Sequence, residues 1–266
     1  VVDSPSGDVR YYLNDYLTQN IFDPKEDKSL TVFTYMLRGL THAYHPSPEK
    51  VLCIGLGVGI VPMQLAKEGS TIDVVELNPG VVEIGEKFFG LDKSEFNLHL
   101  EDGRYFLNAS KEEYDVVILD AFLGDSSPSH LMSRECFESM NQRMKTDAVL
   151  VINAFGHFSE GEDFFMASLD KTLRAVFKSV HIHDGTRGNV FFVASKKEGL
   201  EPHRSMDMSE VHPKLIPFVE TAWKNTIEAN PESGIILTDN YNPVEYYDSK
   251  IREEIRLNFA LNMRGK

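Results

Sequence analysis

The sequence is short of cysteine, of basic charge and of long apolar runs, and each shortage removes a class of protein. Its two cysteines, Cys53 and Cys136, stand far apart in apolar segments. Both read as buried free thiols, and no disulfide framework is available. No Cys/His spacing fits a zinc site, so no metal is expected. His181 and His183 alternate along a predicted strand and read as partly exposed strand residues. Lysine and arginine number 27 against 41 aspartates and glutamates, a net charge of −14. That balance argues against a nucleic-acid partner, whose phosphates demand a basic surface. It suits a small cationic partner, or serves only solubility. No apolar run approaches the roughly 20 residues of a membrane helix. Residues 1–10 lack a basic-then-apolar leader pattern, and a cytoplasmic location is expected. The chain starts with Val1 rather than Met, so a cut or processed end is expected, and an upstream domain stays open.

What is present is a regular alternation of short β-rich runs and helical patterns from Lys50 onward. Residues 51–54 form a compact apolar run, followed by a predicted helix over 60–68, a strand over 71–76 and a helix opening at Pro79, where proline is tolerated. Further strands are predicted over 97–100, 114–119 and 148–152. Helices are predicted over 133–144, with Ser133 as N-cap, and over 163–177. Strands 179–183 and 189–194 close the sheet. This order predicts an α/β fold with a doubly wound sheet and right-handed crossovers. Three segments follow. Residues 1–49 are a lead-in with a small β element and a helix over 30–43, residues 50–195 the nucleotide-binding core, and residues 196–266 an extension with a helix over 209–229. The stretch 237–243 is polar and loop-like.

In such a sheet, ligands bind beyond the carboxyl ends of the strands, at the switch point. Gly55, Gly57 and Gly59 sit there, where glycine permits a tight turn and close approach of a ligand. A glycine triplet serves many nucleotide folds, or only a tight turn. Glu76 ends the second strand, placed to accept from ribose hydroxyls. Asp102-Gly103 follows the third strand, placed to accept from an adenine amino group, although Asp102 also suits an N-cap. This tilts the reading toward S-adenosylmethionine or a derivative. Asp120 emerges from an apolar strand into the cleft, where an ionised carboxylate is retained if it has a cation or a proton to accept. Asp120 and Asp125 together would suit an amine, although Asp125 also reads as a turn residue.

Those residues carry a resemblance. The stretches 51–59, 75–78, 101–103 and 114–120 resemble the successive motifs of the spermidine synthases, polyamine aminopropyltransferases with a Rossmann-like core of the S-adenosylmethionine methyltransferase type. The likeness runs from about residue 14 to 195 and weakens beyond. Residues 120–130 and 237–245 look most like a divergent branch often joined to a membrane transporter-like domain. The resemblance implies transfer of an aminopropyl group from decarboxylated S-adenosylmethionine to an amine such as putrescine, releasing methylthioadenosine. It implies a cofactor site of Gln19, Gly55, Gly57, Gly59, Glu76, Asp102 and Gly103. Asp120 matches the carboxylate that binds and deprotonates the amine, and Tyr35 a tyrosine beside it. Asp125 and Tyr241 are assigned to the amine side. Two departures stand out: Leu123 replaces a second aspartate, and Met36-Leu37 replace a Gln-Glu pair. The N-terminal β region that assembles family oligomers is largely absent, and a homodimer stays open. The alternatives are a methyltransferase using ordinary S-adenosylmethionine, with S-adenosylhomocysteine as product, and a non-catalytic ligand-binding domain of a larger protein.

Overall fold

The computed structural model describes residues 1–14, 17–122, 128–159, 163–185, 188–230, 232–247 and 249. A small sheet comes first, made of β1 (Val2–Asp3), β2 (Arg10–Asn14), β3 (Leu17–Asp23) and β4 (Lys28–Ser29), antiparallel and in chain order. Helix α1 (Val32–Tyr44) then leads into the main alternation. That alternation runs β5 (Lys50–Ile54), α2 (Ile60–Lys67), β6 (Thr71–Glu76), α3 (Pro79–Phe88), β7 (Asn97–Leu100), α4 (Gly103–Ala109) and β8 (Tyr114–Leu119). It continues with α5 (Arg134–Arg143), β9 (Met144–Phe155), α6 (Phe164–Arg174), β10 (Ser179–Asp184) and β11 (Asn189–Ser195). Helix α7 (Ile216–Lys224) and β12 (Thr226–Ile227) come last.

The main sheet has eight strands in the order β12-β10-β11-β9-β8-β5-β6-β7. Strands β7, β6, β5, β8 and β9 are parallel, while β11, β10 and β12 add antiparallel pairs on one side. The chain leaves β5 toward β6 on one side and later returns to β8 on the other. The switch point therefore lies between β5 and β8, which is where a crevice opens in a sheet of this kind. The expected doubly wound, methyltransferase-type fold is present.

Alternation along the central strands explains the two layers. Leu52, Ile54, Val117, Leu119, Leu150 and Ile152 face one core with residues of α4, α5 and α6. Val51, Cys53, Val116, Ile118, Val149 and Val151 face the other, against α1, α2 and α7. Strands buried on both faces must be apolar throughout, which is why these runs show no polar period. Met36 and Leu37 lie fully buried in the second core. The positions that depart from the family pattern are thus occupied by packing side chains.

Three expectations need correction. The helix predicted over 209–229 is limited to α7, preceded by a 3₁₀ turn at Pro213–Leu215. Pro217 falls in the first turn of α7, which suits a helix start and not an interior. Thr226 and Ile227 pair with His183 and Ile182 of β10 as the sheet's eighth strand; β-branched residues favour that extended state. The strand predicted over 148–152 extends over all of β9, because β11 pairs with it as far as Phe155. His183 is buried, not partly exposed. Its Nε2 meets the Tyr44 hydroxyl at 3.1 Å and its ring stacks on Trp223. Burial pushes its pKa down to about 4, so it stands neutral.

Candidate functional site

A cleft of about 460 Å³ opens over the carboxyl ends of β5, β6 and β8, within the size range of small-molecule sites. Its floor is the turn after β5. Gly55 donates its backbone N–H to Val75 and has a φ of 98°. A Cβ there would lie 2.2 Å from the backbone oxygen of Asp120, so the close approach of β5 and β8 requires glycine. Gly57, with a φ of 56°, faces open space, which leaves its backbone accessible to a ligand. Gly59 does not line the cleft. It begins α2 and packs against Leu91, where a Cβ would meet Cδ1 at 2.2 Å. Its role is to seat the helix behind the turn.

Glu76 ends β6 beside that floor. Its Oε2 accepts from the Leu56 N–H at 3.0 Å and its Oε1 from the Asn78 N–H at 2.8 Å. The carboxylate thereby holds the turn, and each oxygen keeps acceptor capacity toward the cleft. Asp102 is the N-cap of its sequence position and also borders the cleft. Oδ1 caps α4, accepting from the N–H groups of Arg104 and Tyr105 at 2.9 and 3.0 Å. Oδ2 meets His130 Nε2 at 2.8 Å, and Asp102, Gly103 and His130 all line the cleft. Burial raises the Asp102 pKa, but the Tyr105 N–H and His130 outweigh it and hold the carboxyl below its usual range. Gly103 lets the start of α4 lie against Ile54, whose Cγ2 would be 2.6 Å from a Cβ.

The small N-terminal sheet roofs the cleft. Tyr12 of β2 and Gln19 of β3 line it. Tyr12 and Phe22 pack with Val58, Ile60 and Phe89, which fastens the sheet to the glycine turn and to α3.

Asp120 follows β8 at the opposite wall, its N–H bonded to the Ile54 carbonyl at 2.9 Å. Burial pushes its pKa up to about 6, against the opposing donation from Asn153. Asn153 on β9 gives its amide N–H to Asp120 Oδ1 at 2.9 Å. It accepts in turn from Asn189 Nδ2 at 3.0 Å. Asn153 and His130 escaped the sequence reading. For Asn153 a signal existed: it is a polar residue ending an apolar run, the same pattern that singled out Asp120. For Asn189 and His130 none did, since their places depend on antiparallel pairing and a loop.

The structure does not bring Tyr35 or Tyr241 into the cleft. Tyr35 is buried in α1, and its hydroxyl donates to the Ser29 carbonyl at 2.7 Å. Burial raises its pKa to about 12, so it is a structural donor. Tyr241 is exposed and belongs to a strap that holds the cleft's rim from outside. In that strap Asp239 pairs with Arg104 (2.6 Å to Nη1) and accepts from Ser133 Oγ at 2.6 Å. Asn242 Nδ2 donates to the Ser129 carbonyl at 2.8 Å. Asp125 and Leu123 lie outside the described residues.

The geometry is matched by kinship. The family model for the spermine/spermidine synthase domain matches residues 31–184. The chain is 31% identical over 236 residues to a polyamine aminopropyltransferase of Vibrio vulnificus, covering 83% of this chain and 77% of that protein. Among solved structures it is similar to a probable spermidine synthase from Corynebacterium glutamicum (TM-score 0.59, 15% identity, 92% of this chain and 90% of that one). It is also similar to a spermidine synthase in complex with the transition-state analogue AdoDATO (TM-score 0.57, 20% identity, 85% and 82%). Those two likenesses concern the fold. None of these names mentions a transporter domain, so the expected likeness to a transporter-joined branch is not borne out, and no described helix is long and apolar enough to cross a membrane. A matched family model over more than half the chain, together with a relative aligned across most of both lengths, makes this protein a member of the spermine/spermidine synthase family of transferases.

Proposed function

We propose that this protein transfers an aminopropyl group from decarboxylated S-adenosylmethionine to an amine such as putrescine. The observation that carries the reading is the charge of the cleft. Among the described residues its lining includes the carboxylates of Glu76, Glu101, Asp102 and Asp120 and the imidazole of His130, with no lysine or arginine. Such a lining favours cationic ligands. Among the described residues, the carboxylate carried by ordinary S-adenosylmethionine would meet no cationic side chain there, whereas the decarboxylated form brings only positive charge.

The residues fit the group. Glu76 offers oxygens to ribose hydroxyls, Asp102 and Gly103 border the space for the base, and Gln19 closes over it from the roof. Gly57 leaves room for the sulfonium end above the turn. Bound there, the cofactor supplies a carbon made electrophilic by its neighbouring sulfonium. Asp120 then holds the acceptor ammonium and takes its proton. The freed nitrogen bonds to that carbon, the carbon–sulfur pair passes to sulfur, and methylthioadenosine leaves. Proton transfer from an alkylammonium to an ordinary aspartate is uphill by about six pKa units. Raising Asp120 to about 6 narrows that gap by about two units, close to 3 kcal/mol. The rest comes from holding the two reactants in line.

The test is methylthioadenosine release from decarboxylated S-adenosylmethionine with putrescine present and absent, beside the change in Tm given by each form of the cofactor. We expect amine-dependent release and a larger Tm rise from the decarboxylated form. Binding of that cofactor without acceleration by any amine would overturn the transferase reading. A larger Tm rise from ordinary S-adenosylmethionine would favour methyl transfer.

A further inference from the structure

Asp120 is not alone on its wall. Leu119 and Ile152 are register partners across β8 and β9, so Asp120 and Asn153 are the next pair and extend from the same face. Asn153 is opposite Phe191 in β11, and Asn189 lies two residues earlier in that strand. That is the diagonal position, within reach of a polar side chain on the same face. Asn153 is itself buried, at 2% exposure. An unpartnered amide in such a place would be costly, and this one is satisfied on both sides.

The chemistry fixes its direction. An ionised carboxylate only accepts, so Asn153 must turn its NH₂ toward Asp120 and leave its carbonyl oxygen pointing at β11. That oxygen needs a donor, and Asn189 Nδ2 provides it at 3.0 Å. With Asn189 in place, the reversed amide would set NH₂ against NH₂ on one side and oxygen against carboxylate on the other. Asn189 is anchored by its backbone, whose carbonyl accepts from Gly185 N at 2.8 Å. One oxygen of Asp120 is thus tied, and among the described residues the other has no hydrogen-bond partner.

We infer that Asn153 and Asn189 are positioning residues, a two-amide relay that locks the Asp120 side chain so that its untied oxygen receives the amine proton. The role assigned to Asp120 rests on the proposed transfer; the relay itself does not, because it acts on the carboxylate whether or not an amine reacts there. The antiparallel strand β11 thereby takes part in the site through its amide, although it stands outside the parallel half of the sheet. Neither amide exchanges a proton during the reaction.

The test follows the carboxyl group directly. Protein labelled with ¹³C at aspartate carboxyls is titrated by NMR, with the Asp120 signal assigned by its loss in Asp120→Asn. In Asn153→Leu the charged form loses its donor, and the Asp120 midpoint should rise by about one pH unit. In Asn189→Ala, where the Asn153 amide is free to turn, a smaller rise in the same direction is expected, and Asn153→Gln should restore part of the wild-type value. Methylthioadenosine affinity should stay within about two-fold in all three. Where turnover is measurable, the acid limb of the kcat/KM profile should move with the midpoint. An unmoved midpoint in Asn153→Leu or in Asn189→Ala, with methylthioadenosine affinity retained, overturns the relay. If Asn153→Leu does not fold, Asn189→Ala at the cleft's rim decides alone. If no amine is turned over yet the midpoint moves, the relay stands and the transfer reaction falls.

Discussion

The two walls of the cleft are built by different means. The wall proposed for the cofactor is mostly backbone and strand ends: the turn at Gly55 and Gly57, Glu76 ending β6, and Asp102 capping α4. Glu76 and Asp102 already accept backbone N–H groups, which fixes both carboxylates before any ligand arrives. The wall proposed for the amine is a row of side chains, Asp120, Asn153 and Asn189, from the end of β8, from β9 and from the antiparallel β11. The lesson is a division of labour. A wall made of backbone turns tolerates little variation, whereas a wall of side chains can be retuned one residue at a time. The departures from the family pattern at Met36 and Leu37 belong to neither wall: both side chains are fully buried in the core.

Several substitutions would break or sharpen that contrast. Asp120→Asn should lower turnover by about 10²–10⁴-fold, as expected for loss of a general base. Methylthioadenosine affinity should stay within a few-fold, as measured by calorimetry; undiminished turnover would remove Asp120 from the chemistry. Gly55→Ala is the strongest test of the backbone wall. A left-handed alanine whose Cβ lies 2.2 Å from a backbone oxygen should cost about 3 kcal/mol or more. Denaturant unfolding would show it, together with loss of cofactor binding. Glu76→Ala removes acceptors for Leu56, Asn78 and the ribose together, weakening cofactor binding by about 1.5–3 kcal/mol.

The acidity of Asp120 makes a prediction of opposite sign. Its folded pKa, about 6, stands above the usual 3.8. Between those values the unfolded chain releases the proton while the folded chain keeps it, so rising pH destabilises the fold, and above pH 6 the deficit is constant. Full linkage would give about 3 kcal/mol, reduced to about 1–2 by the side chain's partial exposure. Asp120→Asn should therefore be the more stable protein at pH 7, with the difference gone near pH 4, as urea titrations at both pH values would show. The smallest effect belongs to the strap. Arg104→Ala breaks a surface pair with Asp239 worth about 0.5–1 kcal/mol. It should shift Tm slightly and loosen cofactor binding more than amine binding, since Arg104 follows Asp102 in α4.

Much of this was legible in advance, and the reason differs by element. The central strands are apolar on both faces, which announces a covered parallel sheet whatever its neighbours do. The turn, Glu76, Asp102 and Asp120 could be singled out because each ends or closely follows a parallel strand, and that edge of such a sheet is where a cleft opens. Tyr35 lies outside the cleft because a resemblance assigns a position and not a direction; its side chain turns inward and its hydroxyl donates to the Ser29 carbonyl. The helix expected over 209–229 failed because tertiary pairing with β10 claimed Thr226 and Ile227.

The sequence alone determined the layered α/β sheet and marked the residues that line the cleft at its strand ends, Gly55, Gly57, Glu76, Asp102 and Asp120. Those features follow from local pattern: apolar runs, glycines and acids at fixed spacings along one stretch of chain. Only the tertiary structure decided that Asn153 and Asn189 stand behind Asp120, that β2 and β3 roof the cleft, and that residues 237–242 brace its rim. Those contacts join residues distant along the chain, and their geometry exists only once the sheet has closed its order and β11 has run back beside β9.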